Sequence, residues 1–344
     1  MNLKIQTFFV ATTLLLISCG DKKSENKNTV SPVQNASVET DTTQTLEQQV
    51  PRKESINLFN LTYRDSSSVS FVSLSDIYPM DGTDSDSLVL PDPKKMEKKA
   101  SQYFTLDKNY RKRFLSKTGI SESDSIFIYD YAKNKLVALA IKNLKTAALI
   151  NGYASEEDWP YNRYDYMTGF EISNKYLKGF SDYYTDVLVY AGKENPFVRG
   201  QLTPIKWQKT TAKSFPSKPL TKEGKEYVGD AKKGDTHKYT ANGFDYFLQD
   251  YLDERKFVAA RRLLVIDSKT KEVYIEKFYG RGEGTSVSPL NHEAENGVIQ
   301  WTGKLFKNKP FVVFGFQYES FGCPGISFID KSNEDVYIQC DNRH

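Results

Sequence analysis

The chain has 344 residues, of which 26% are charged, with a formal net charge of +3. Lysine and arginine nearly balance aspartate and glutamate, which argues against a nucleic-acid footprint built on basic excess. Three histidines are too few for a His-rich metal site and argue against a Ser-His-Asp triad, whereas 22 tyrosines and 21 phenylalanines point to strands and to binding faces.

Lys4 gives an early positive charge, and Phe8 to Ile17 are apolar, small or Thr. That run is too short for a bilayer, which needs about 20 apolar residues, but suits the h-region of a signal peptide. It ends in Leu16-Ile17-Ser18-Cys19. This box resembles the lipobox of bacterial lipoproteins, and the resemblance covers residues 1–19 alone. It implies cleavage after residue 18, diacylglyceryl transfer to the Cys19 thiol and further acylation of the new amino group, so that acyl chains hold the protein to a lipid bilayer. Gly20, rather than Asp, follows the cysteine. By the sorting rule of many Gram-negative lipoproteins, that favours the outer membrane over the inner, facing the periplasm or the surface. Residues 19–50 lack aromatics and carry few aliphatics, so they read as a flexible tether. Residues 51–344 read as a single β-rich domain, with a possible subdivision near 215–240.

Within that domain the expected class is mainly β with a few helices, a β-rich α+β protein of antiparallel sheets. "DGTDSDS" at 81–87 reads as a polar turn, since its oxygens miss the EF-hand spacing. Asp92 before Pro93 signals a helix start, with the helix running to about Phe104, and 107–117 predicts a second helix. Lys94, Lys95, Lys98, Lys99, Arg111, Lys112 and Arg113 read as solvated helix faces. Three stretches, at 125–141, 263–278 and 326–340, share one design: an apolar run, an aspartate (Asp130, Asp267, Asp330), a polar turn and a second β-prone run. Aspartate at a turn start caps its own backbone, which explains the likeness locally. Blades of a β-propeller are a minor alternative. In "GFDYFLQDYLDER", Phe244, Phe247, Leu248, Tyr251 and Leu252 stand at i, i+3, i+4, i+7 and i+8, which predicts an amphipathic helix. After Val298 the pattern is a C-terminal meander.

Three features bear on chemistry. Cys323 and Cys340 flank the last hairpin, and an exporting compartment predicts a disulfide between them. "YGRGEGTSVSPLNHEAEN" at 279–296 has glycines and Arg281 but no P-loop lysine, and reads as a loop. "GYASEEDWPYNRYDY" at 152–166 mixes aromatics with carboxylates and Arg163. It is either a loop pinned by its aromatics or a glycan contact using Trp159, Tyr161, Tyr164 and Arg163. No catalytic motif, cofactor motif or metal-ligand spacing emerges. The functional expectation is a membrane-anchored, non-enzymatic binder of a glycan or protein ligand. The alternative is a hydrolase of extracellular or cell-wall polymer, with carboxylates drawn from separate strands.

Overall fold

A computed structural model describes residues 56–342 except 65–66, 79, 81–84, 295–296 and 321. The signal segment, Cys19, the tether and most of the polar turn at 81–87 therefore lie outside the described residues. Among those described, the protein is mainly β with three α-helices and several antiparallel sheets, and it forms neither a closed barrel nor a propeller.

The largest sheet has nine strands. In spatial order these are Lys135–Ala140, Ser125–Asp130, Val187–Gly192, Leu58–Phe59, Val336–Gln339, Gly325–Phe328, Val312–Phe314, Trp301–Gly303 and Leu202–Pro204. Every neighbouring pair is antiparallel except one: Leu58–Phe59 runs parallel to Val336–Gln339. The last four hairpin-linked strands of this sheet are the expected meander. A four-stranded sheet orders Val69–Ser73, Tyr166–Ser173, Thr146–Ile150 and Tyr103–Thr105, and a five-stranded sheet orders Gln208–Thr210, Lys232–Ala241, Phe244–Leu252, Val258–Asp267 and Val273–Gly280. Thr285–Val287 pairs with Gln317–Glu319 in a separate ribbon.

Side-chain alternation along the strands sorts the cores. Ile126, Ile128, Val187 and Val189 face one core with Val72, Phe170 and Ile172 of the four-stranded sheet. Their neighbours Phe127, Tyr129 and Leu188 face a second core. That second core also takes Trp301, Val312 and Phe314 from distant strands of the same sheet, so the sheet curls over it. Val313 points the other way, into a third core with Tyr246, Leu248, Leu263 and Val265 of the five-stranded sheet. Each such aliphatic contributes about 1.5–3 kcal/mol when fully buried.

Two helix expectations need correction. The stretch from Asp92 yields only a 3-10 turn at Pro93–Lys95 and one helical turn at Lys98–Ser101, after which Tyr103–Thr105 becomes a strand. The aromatic pair Tyr103-Phe104 gains more from pairing with Thr146–Ile150 than from a longer helix. "FDYFLQDYL" is a strand, Phe244–Leu252, not a helix. It lies at the centre of its sheet and is buried on both faces: Tyr246 and Leu248 enter one core, and Phe247 joins Leu264 and Ile266 on the other side. A strand covered on both faces carries apolar residues almost continuously, and such a run satisfies helical spacing by accident. The helix expected at 107–117 does form, over Lys108–Thr118. The Asp107 carboxylate accepts from the Asn109 amide at 2.8 Å, and Gly119 closes the helix with φ of 70°.

The three aspartate hairpins fall in two different sheets, so their likeness is turn chemistry and not a blade repeat. Asp130 accepts from the Lys133 amide at 2.7 Å, Asp267 from the amides of Lys269 (2.8 Å) and Thr270 (2.7 Å), and Asp330 from that of Ser332 (3.1 Å). The described residues fall within one compact unit. No described helix is long and apolar enough to cross a membrane.

Candidate functional site

The structure separates the four residues singled out in the 152–166 loop. Tyr161 is 1% exposed and meets Tyr166 edge-on within the first core, so its ring pins the loop and offers no surface platform. Trp159 and Tyr164 are exposed, and Arg163 is half-buried at the start of a 3-10 turn. The loop acids shape the backbone: Asp158 accepts from the Ser155 amide at 2.6 Å, and Asp165 from the Asn162 amide at 2.7 Å. Tyr153 and Tyr164 line a hollow of about 860 Å³ beside this loop, whereas Trp159 and Arg163 do not reach it.

Cys323 and Cys340 form the expected disulfide, with Cα atoms 5.6 Å apart, which removes both as free thiols. The glycines of the 279–296 stretch make a tight turn in which Gly282 bridges to Thr285, and Arg281 lies 3.7 Å from Asp253. The basic run is largely occupied by structure. Arg111 bonds Glu122 and the carbonyls of Ile141 and Leu144, and Arg113 holds Asp86 at 2.7 Å. Among the described residues, no cluster of three or more His, Cys, Asp or Glu could hold a metal ion.

The main concavity lies elsewhere. A cleft of about 1210 Å³ opens between the C-terminal hairpin, the end of strand Val273–Gly280, the turn at 183–186 and the helix Lys222–Val228. Eight tyrosines are counted among the exposed large side chains, and five of them, Tyr63, Tyr183, Tyr227, Tyr318 and Tyr337, line this cleft. Burial of tyrosine is the ordinary outcome, so this convergence of exposed rings in one place is informative.

Four of the five rings are held by local contacts. Tyr183 and Tyr184 sit side by side at φ of 53° and 59°, in the left-handed region that bulky residues rarely enter. That strain costs of order 1–3 kcal/mol per residue and persists only where the surroundings impose it, a pattern that clusters at ligand sites. Tyr63 braces the pair, 5.3 Å from Tyr183 edge-on and 6.0 Å from Tyr184, and the Ser70 hydroxyl donates to the Tyr184 oxygen at 3.3 Å. Tyr227 stacks on Phe278 at 6.1 Å. Tyr337 lies across Gly325, its register partner, where a Cβ would stand 3.3 Å from the ring.

Among the described residues, five carboxylates and one lysine are the acidic and basic side chains of the cleft lining. Glu276 is neutralised by Arg262, with Nε at 2.9 Å, and by Lys218. Asp335 is paired with Lys277 and accepts from the Ser327 hydroxyl at 3.2 Å. Glu223 and Glu319 have no ion-pair partner among the described residues. Asp186 is half-buried. Desolvation raises its pKa against the opposing hydrogen bonds from Tyr131 and Ser181, and the neighbouring Asp130 charge adds to the rise. Burial likewise lifts the Tyr131 phenol well above its usual value, with Asp186 reinforcing the shift.

No family model, curated protein or solved structure matches the chain. Reasoning from the sequence missed this cleft because its residues come from nine separate stretches, none rich in motif. The one local signal was "DYYTD" at 182–186, two adjacent tyrosines flanked by acids in a turn.

Proposed function

We propose that the protein is an exported lipoprotein, anchored through acyl chains on Cys19, whose tyrosine cleft binds a glycan. The observation that carries this reading is the gathering of five exposed tyrosines around one cavity. Sugar rings present C–H faces that stack on tyrosine, and their hydroxyls find partners in phenols and in the unpaired carboxylates Glu223 and Glu319. Tyr183 and Tyr318 are the rings to test, because they are 72% and 63% exposed and their loss spares the core. Tyr183→Ala and Tyr318→Ala should leave stability within about 0.5 kcal/mol while weakening binding by about 1 kcal/mol or more each. Glycan-array capture followed by titration calorimetry reads this directly, and full-strength binding by both variants would sink the proposal.

A hydrolase is the second reading, favoured by one feature. A half-buried carboxyl with a raised pKa, as at Asp186, suits a general acid. Release of reducing ends from a bound glycan, abolished in Asp186→Asn, would establish it. Binding without turnover would leave the protein a binder.

A further inference from the structure

The charge of the cleft restricts its ligand further than the rings do. Among the described residues its lining holds no arginine and no histidine, and its single lysine, Lys277, is already spent on Asp335. Glu276 is balanced by Arg262 and Lys218. Among the described residues, Glu223 and Glu319 remain without an ion-pair partner, while Asp186 feels the charge of Lys133. An uncharged saccharide needs no such excess, and an anionic one would be repelled by it. Around the same space stand the faces of Tyr63, Tyr183, Tyr227, Tyr318 and Tyr337. Ring faces are negative at their centres and attract organic cations, most strongly where water is excluded. Aromatic walls together with unbalanced carboxylates are complementary to an ammonium group, each part weak alone and additive in direction.

Resting on the glycan reading, we infer that the cleft takes a saccharide bearing free, protonated amino groups, with its ammonium set between the tyrosine faces and Glu319 or Glu223. The helix that carries Glu223 also carries Tyr227, and the strand that carries Glu319 also carries Tyr318. Glu223 and Tyr227 stand four residues apart on one helix, and Glu319 and Tyr318, though on alternate faces of their short strand, both line the cleft. Coincident placement of acid and ring on two unrelated elements is what a neutral hydroxyl site does not require.

The test uses the full-length protein in detergent and two tetrasaccharides of the same backbone, one with every amine free and one fully N-acetylated, titrated in mildly acidic buffer. Cation–ring and charge–charge contacts at part-exposed sites predict about tenfold tighter binding of the free amine. The doubly substituted Glu223→Gln/Glu319→Gln protein should lose that advantage, so that the two sugars bind it equally. Tyr183→Leu should weaken the free amine more than Tyr183→Phe, since leucine keeps bulk but lacks a ring face. Equal binding of the two sugars would overturn the ammonium inference while leaving the glycan reading intact. Binding of oligolysine with neither sugar bound would overturn both the amino-sugar assignment and the glycan reading. No binding of any of the three would do the same.

Discussion

Tyr161 and Trp159 are two positions apart and do opposite work. Tyr161 is buried against Tyr166, so Tyr161→Ala should cost about 3–5 kcal/mol through the cavity left behind. Trp159 is 41% exposed, and Trp159→Ala should cost under about 1 kcal/mol. Denaturant melts of the two variants check the contrast, and equal losses would mean that the loop is pinned differently. Asp186 gives a prediction with a pH sign. Its folded pKa is raised, so the folded state holds the proton more tightly than the unfolded chain does. That favourable contribution is complete below the unfolded value of about 3.9 and is lost as pH rises through the raised folded value. Asp186→Asn carries no such proton, so its stability relative to wild type should improve from acid towards neutral pH. Melting temperatures compared across that range would show it, and a flat difference would refute it.

Among the elements, the strand Phe244–Leu252 depends on polar pairing as much as on its apolar run. Asp250 stands in register opposite Arg261, with Nε 2.8 Å from its carboxylate and both side chains almost wholly buried. Arg261→Met would strand that carboxylate, and the expected loss is about 3–5 kcal/mol by chemical unfolding. A loss below about 1 kcal/mol would mean that water or another cation takes over. At the C-terminal hairpin, the Cys323–Cys340 bridge closes a loop of 17 residues. Replacing both cysteines with serine should cost about 3 kcal/mol, and it should also weaken ligand binding, because Tyr337 rides on that hairpin. What the sequence made legible at this scale was local. The hairpins at Asp130, Asp267 and Asp330 could be read because each aspartate caps amides only two or three residues away. Helix Lys108–Thr118 could be read from Asp107 and Gly119 for the same reason. The strand Phe244–Leu252 was misread because its identity depends on what covers its two faces, and nothing in nine consecutive residues records that.

For the molecule as a whole, the same limit applies with more force to the cleft. Tyr63, Tyr183, Tyr227, Tyr318 and Tyr337 come from a loop, a 3-10 turn, a helix, the two-stranded ribbon and the last strand, so no window of sequence contains the site. The proposed anchor is the reverse case, because a lipobox of the kind that residues 16–19 resemble is read by enzymes as a linear string. Cys19→Ser should leave an uncleaved precursor without acyl chains, detectable by mass and by partition into detergent. Normal maturation of that variant would refute lipidation.

Leu58–Phe59 lies between Val187–Gly192 and Val336–Gln339, so the earliest strand of the great sheet borders the very latest. A chain emerging from a ribosome or a translocation pore in order can pair that strand with Val187–Gly192 but cannot complete its other edge until the final hairpin has followed it out. Assembly of the sheet's middle is therefore deferred to the end of synthesis or export, and pairings this distant close slowly. A nascent chain halted before residue 336 should stay protease-sensitive around Leu58, and release of the last few strands should protect it in a single late step.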